Sequence, residues 1–262
     1  MTNRNKTPEM TRLRKTHRLL WLIFIAAVIL FAVWFFGFCR IREIDVSGIS
    51  YCSAEKIIND SGIKPGSHTY AVSKGKIAEK IKGENIYVRS VTVRRTLPKK
   101  LHIIIEEYPP AFALEYDGQY FILSDRLTVL EVRDDISSSF YSGTAKLSLS
   151  GIKSLALGKQ IEFEEKDDCD FYLGIIDTIL SSPIGKKLSG IDLRQKFDIH
   201  ILYNNIYTIV LPSWRTLDSD LSLCIKLITK LESDSYYAGV TGNIRVISDD
   251  KVSFQPTGKL GE

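Results

Sequence analysis

The 262-residue chain holds only four cysteines and four histidines. Cys39, Cys52, Cys169 and Cys224 form no CxxC and no spacing with histidine that suits metal ligation, which argues against a zinc module. Cys224 reads as part of an apolar helix face, so the four are expected as unpaired thiols. No GxSxG, SxxK, HExxH or Gly-rich phosphate loop occurs, so the usual nucleophile and nucleotide signatures are missing. His102 and His200 each lie in an alternating strand pattern and read as packed or solvated side chains. The pairs Asp134-Asp135, Asp167-Asp168 and Asp249-Asp250 fall at turns or helix starts, where aspartate satisfies free backbone donors. This reading assigns no catalytic residue, cofactor, metal or small-molecule substrate.

An excess of one charge is also lacking over most of the chain. Residues 1–18 carry six Lys or Arg against the single acid Glu9, a balance of +5, and the remainder sums to −1 within the net +4. Nucleic acid is therefore excluded as a partner, because neutralising phosphates needs a basic stripe on the folded domain. Beyond residue 40 the chain also lacks enough ten-residue lipid-facing alternations for a transmembrane barrel.

What is present begins with Leu19 to Phe38, a run of 20 residues without a charged side chain. At about 1.5 Å per residue such a helix reaches across a hydrocarbon core of about 30 Å. Arg12, Arg14, Lys15 and Arg18 precede it, and Trp21 and Trp34 lie near its two ends. The expectation is a single transmembrane helix with a cytoplasmic N-terminus and extracytoplasmic domains. The bulky Trp34-Phe35-Phe36-Gly37-Phe38 opposes cleavage as a signal peptide.

After this run, Ile41, Ile44 and Val46 suggest a strand ended by Ser47-Gly48. Ser53 and Ser73 suit the caps of two helices, stopped at Gly62 and Gly83. Ile86, Val88, Val91 and Val93 then read as a strand, residues 97–100 as a turn, and Leu101 to Glu107 as a further strand. The order β-α-α-β-β makes a small α+β unit, and Tyr108-Pro109-Pro110 marks its boundary. Short strands are expected near 119–123, 127–132 and 145–150, and a helix near 168–181 ended by Pro183. Strands near 188–193, 197–203 and 206–211 follow, with a helix near 217–232. A hairpin of Thr241 to Ile247 and Lys251 to Gln255, turning at Asp249-Asp250, closes the fold, and Gly258 to Glu262 reads as a frayed tail.

These motifs resemble the FtsQ/DivIB cell-division family. Ile44-Asp45-Val46-Ser47-Gly48 looks like the opening strand of that family's POTRA domain. Residues 91–103, VTVRRTLPKKLHI, followed by Glu107-Tyr108-Pro109-Pro110-Ala111, look like its closing hairpin. Asn243-Ile244-Arg245 and Phe254 stand where the family has Asp-x-Arg and an aromatic residue, with Asn243 replacing the aspartate. Gly190-Ile191-Asp192-Leu193-Arg194 is a second Asp-x-Arg strand that could hold the same place.

The resemblance implies an α+β architecture: a basic cytoplasmic tail at 1–18, a transmembrane helix at 19–38, a POTRA-like domain at 39–108, a mixed β domain with two helices at 109–256, and a tail at 257–262. It implies a non-catalytic scaffold at the division septum that joins FtsL-type and FtsB/DivIC-type single-span proteins and other divisome components. The strand Lys251, Val252, Ser253, Phe254 and Gln255, with Arg245 beside it, is the expected partner edge, and Phe254 either anchors the partner or packs beneath the helix 217–232. Arg94, Arg95 and Glu107 are the expected charged contacts of the POTRA unit. A POTRA module handling unfolded or secreted chains is the alternative reading.

Overall fold

A computed structural model describes residues 9–96, 99–136, 143–248 and 250–259. Leu97-Pro98 and Asp249, two of the expected turn positions, lie outside the described residues, as do residues 1–8 of the basic tail and 260–262 of the expected frayed end. The chain divides into two compact units, Met1–Glu107 and Tyr108–Glu262.

The first unit opens with helix α1 (Glu9–Phe38). Among the described residues no helix is long and apolar enough to cross a membrane. That finding corrects the expected single transmembrane helix. The helix starts at Glu9 and takes Arg12, Arg14, Lys15 and Arg18 into its own length. At its C-terminal end Phe35 stacks on Tyr70 (5.5 Å, 26°) and Lys99 Nζ sits 4.3 Å from the centre of the Phe38 ring.

Strands β1 (Glu43–Ser47), β2 (Val88–Thr96) and β3 (Lys100–Glu107) form a sheet of order β1-β3-β2, with β1 parallel and β2 antiparallel to β3. Helices α2 (Ala54–Ser61) and α3 (Lys74–Glu84) supply Ile57, Ile77 and Ile81 to a core shared with Leu101, Ile103 and Ile105 of β3. The helices start and stop where local chemistry dictates. The Ser53 hydroxyl accepts from the Lys56 N–H, and Gly62 (φ 66°) ends α2 in the left-handed region, where the lack of a Cβ removes the steric penalty. Ser73 occupies the N-cap of α3 but its side chain makes no capping bond, and α3 continues past Gly83 to Glu84. This unit is α+β and POTRA-like.

The second unit is a nine-stranded mixed sheet of β4 (Phe112–Tyr116), β5 (Gln119–Leu123), β6 (Val129–Arg133), β7 (Ala145–Ser148), β10 (Leu188–Asp192), β11 (Ile199–Tyr203), β12 (Tyr207–Leu211), β13 (Val240–Ser248) and β14 (Lys251–Lys259). The order is β14-β13-β12-β11-β10-β7-β4-β5-β6. Strands β8 (Ile152–Ser154) and β9 (Glu162–Phe163) make a separate short pair. Helices α4 (Asp168–Ser181) and α5 (Leu217–Ser233) share one core with the sheet: Tyr172, Ile176 and Ile179 of α4 and Leu221, Cys224 and Ile228 of α5 pack with Ile191, Ile201, Ile209 and Ile244.

All four thiols are free. Burial, assisted by Asp220, pushes the Cys224 thiol up to about 12, and burial with the Glu107 carboxylate pushes Cys52 up to about 11. Because both folded values lie above the ordinary 9.0, the neutral thiols favour the fold fully below pH 9. That contribution is lost as pH climbs from 9 toward 12. The native chain at pH 8 is expected to leave Cys224 unmodified by Ellman's reagent, and unfolding in guanidinium to release four reactive thiols. Rapid native modification of Cys224, read by peptide mass mapping, would refute its burial.

Candidate functional site

The β13–β14 ladder ends the large sheet. Its antiparallel register runs Asn243↔Gln255, Ile244↔Phe254, Arg245↔Ser253 and Val246↔Val252, with irregularities only at Thr241/Gly242 and Val246/Ser248. On the other side β13 lies parallel to β12, and the Gly242 N–H donates to Ile206 O at 3.2 Å. Gly242 therefore points its backbone away from β14, so its cross-strand partner Pro256 is in a non-bonded pair and directs its own backbone outward. Phe254 and Val252, at steps of two, do the same. Ser253 and Gln255 direct their backbone groups inward to β13. The outer edge thus presents the N–H groups of Val252 and Phe254 and the carbonyls of Val252, Phe254 and Pro256.

Side chains alternate with the opposite logic. Val252 and Phe254 turn to the helix-covered face, where both pack on the main core. The Phe254 ring meets Tyr207 edge-to-face (5.8 Å, 84°) and Tyr237 likewise (5.7 Å, 85°). It lies directly over Gly242, where an added Cβ would stand 2.5 Å from a ring carbon. Phe254 is thus a packing residue of the hairpin. Burial pushes the neighbouring Tyr207 phenol up. On the opposite face Arg245 and Lys251 are exposed and form no ion pair among the described residues.

The POTRA charges divide. Arg94 is exposed on β2, opposite His102. Arg95 is committed to the fold: its guanidinium donates to Val72 O at 2.5 Å and lies 5.6 Å from the centre of the Tyr70 ring. The Glu107 carboxylate accepts from the backbone N–H of Ser50 (2.6 Å), Tyr51 (2.8 Å) and Cys52 (2.8 Å), so it ties the loop before α2 to the end of β3. The charges of Arg95 and Glu107 are thus engaged with backbone partners of the same unit.

The second Asp-x-Arg stretch ends β10, which lies between β7 and β11, away from the β14 edge. There Arg194 donates to Asp192 through Nε at 3.0 Å and Nη2 at 2.5 Å, and this contact holds the Asp192 carboxyl below its usual range. Asn243 and Arg245 of β13 are the pair that borders the last strand.

Ser47 and Asp45 approach His102, but not as a proton relay. Ser47 Oγ (2.8 Å) and Asp45 Oδ2 (3.7 Å) both face the same ring nitrogen, Nε2, whereas a relay uses the two nitrogens separately. Among the described residues no group of three or more His, Cys, Asp or Glu is arranged to hold a metal ion.

Residues 39–108 match the family model described as a POTRA domain, FtsQ-type. The chain is 24% identical to the cell division protein DivIB of Clostridium acetobutylicum over 65% of this chain and 66% of that protein. It is 26% identical to DivIB of Clostridium botulinum strain Hall, over 76% of this chain and 78% of that one. With DivIB of Bacillus cytotoxicus the identity is 31% over 49% of each chain.

Proposed function

Since the chain belongs to the FtsQ/DivIB family of cell-division proteins, with an FtsQ-type POTRA domain at residues 39–108, we propose that it is a non-catalytic scaffold of the division septum, joining FtsB/DivIC-type and FtsL-type partners through the outer edge of β14. The observation that supports this reading is the row of two donors and three acceptors at Val252, Phe254 and Pro256 on the last strand of the sheet. An extended partner segment adds as a tenth strand by completing that row, and main-chain bonds supply the attraction. Arg245 and Lys251, both exposed, favour a segment with acidic residues on the helix-free face. Arg94, exposed on β2, offers a charge to other divisome components.

Proline scanning tests the edge. Val252→Pro removes an outward N–H and leaves the ladder to β13 complete, so the fold persists while affinity for an FtsB/DivIC-type segment falls about tenfold. Ser253→Pro removes an inward N–H instead and destabilises the hairpin itself. Titration calorimetry together with thermal melts separates the two effects. Equal affinity for wild type and the Val252 variant would eliminate β14 as the docking edge.

A further inference from the structure

Helices α4 and α5 touch one another on the face of the large sheet, and a groove runs between them. Two cavities of about 460 and 280 Å³ make up this groove, and both are lined by Thr178 and Asp218. Together they reach the size of an ordinary ligand site, but they are open along their length. The smaller cavity ends on Trp214, the second unit's only tryptophan, which meets Phe171 edge-to-face (5.5 Å, 86°) and remains 39% exposed. The larger one is lined by hydroxyls of Thr178, Ser181 and Ser222. An exposed indole at the end of a hydroxyl-lined groove has no part in the core or in the β14 edge.

The charges around the groove restrict its ligand. Cations are disfavoured at the aromatic end because the chain's own already sit there: Arg215 lies 5.6 Å from the centre of the Trp214 ring and Lys196 Nζ 5.1 Å from that of Phe171. Anions are opposed by the carboxylates of Asp170, Asp177 and Asp218, of which, among the described residues, Asp177 alone is neutralised, by Arg126 at 2.8 Å. An apolar helix would fit poorly. Thr178 Oγ1 donates to Gly174 O (3.0 Å) and Ser222 Oγ to Asp218 O (2.8 Å), so both hydroxyl protons are used and the remaining lone pairs need donors from the ligand.

A ligand that is neutral, rich in O–H or N–H donors, and able to lay a C–H face on an indole meets all three conditions. We infer that the α4–α5 groove binds a linear neutral glycan, with one sugar ring against Trp214 and donors of the following rings on Thr178, Ser222 and Asp218. This inference is independent of the β14 edge.

The test is titration calorimetry of the full chain with β-1,4-linked hexamers of N-acetylglucosamine and of glucose, and with hexalysine and polyphosphate as charged comparators. Saturable binding of at least one hexamer in the range of about 0.1–1 mM is expected. Trp214→Ala should weaken it about tenfold with an unchanged melting curve. The double variant Thr178→Val/Ser222→Ala keeps the indole and should weaken it several-fold. The inference is overturned if neither hexamer binds at millimolar concentration, if binding survives both variants, or if hexalysine or polyphosphate binds more tightly than the glycans.

Discussion

Phe254→Ala is expected to destabilise the second unit by about 2–3 kcal/mol, below the range for a fully buried ring because Phe254 is only half-buried. The loss has identifiable parts. Two edge-to-face contacts, with Tyr207 and Tyr237, contribute about 0.5–1.5 kcal/mol each beyond area burial. The bare backbone of Gly242 beneath the ring would lose its cover. Because β14 is the end strand, paired with β13 alone and packed through Val252 and Phe254, amide exchange across 251–259 should rise more than in β10 to β12. Affinity for a partner strand should fall more than tenfold, since the partner must then also order the strand it docks on. Phe254→Leu retains most of the apolar area and should recover most of both losses. Denaturant unfolding and hydrogen exchange by mass spectrometry check the first two effects. An alanine variant as stable as wild type would mean that the ring is not a structural pin.

Glu107→Ala is expected to cost the first unit about 2–3 kcal/mol without any partner present. Three backbone donors at Ser50, Tyr51 and Cys52 lose one shared acceptor. Bonds to a charged acceptor contribute about 1.5–3 kcal/mol each when shielded, but Ser50 and Tyr51 are exposed and recover water, which lowers the sum. Glu107→Gln retains an acceptor oxygen and should lose about half as much. The loop at 50–52 should become the first part of the unit to exchange its amides. If Glu107→Ala instead leaves stability unchanged and abolishes recruitment to the septum, the residue belongs to an interface and not to the loop.

Much of this architecture is legible in the sequence because local rules and tertiary packing agree there. Ser53 and Gly62 bracket α2 because a hydroxyl cap and a left-handed stop are both local devices. The alternation Leu101, Ile103, Ile105 marks β3 because one face of that strand is fully buried. Strand β4 is not visible in the same way. Phe112, Ala113 and Leu114 are buried in succession, so the period of two disappears just after Pro109-Pro110. β14 is longer than its alternating stretch because Pro256, Thr257 and Gly258 are held by register with β13 and not by burial.

The site was less legible than the fold, for a related reason. Side-chain type identifies Glu107 and Arg95 as charged, but only the fold reveals that their partners are backbone groups 57 and 23 residues away in sequence. Pro256 carried a usable signal, since proline inside a strand pattern marks an edge. Gly242 carried another, since glycine inside a strand marks a close approach, here by Phe254. Neither belongs to the expected edge, which rests on the alternation of Val252 and Phe254.

The most direct test of the proposed role in division is fluorescence microscopy of growing cells in which a fluorescent protein is fused to the N-terminus of the full chain at native expression. A band at mid-cell in dividing cells is the expected result. Uniform fluorescence in dividing cells, from a fusion shown to be intact and functional, would contradict it and leave the family relationship as a statement about fold alone.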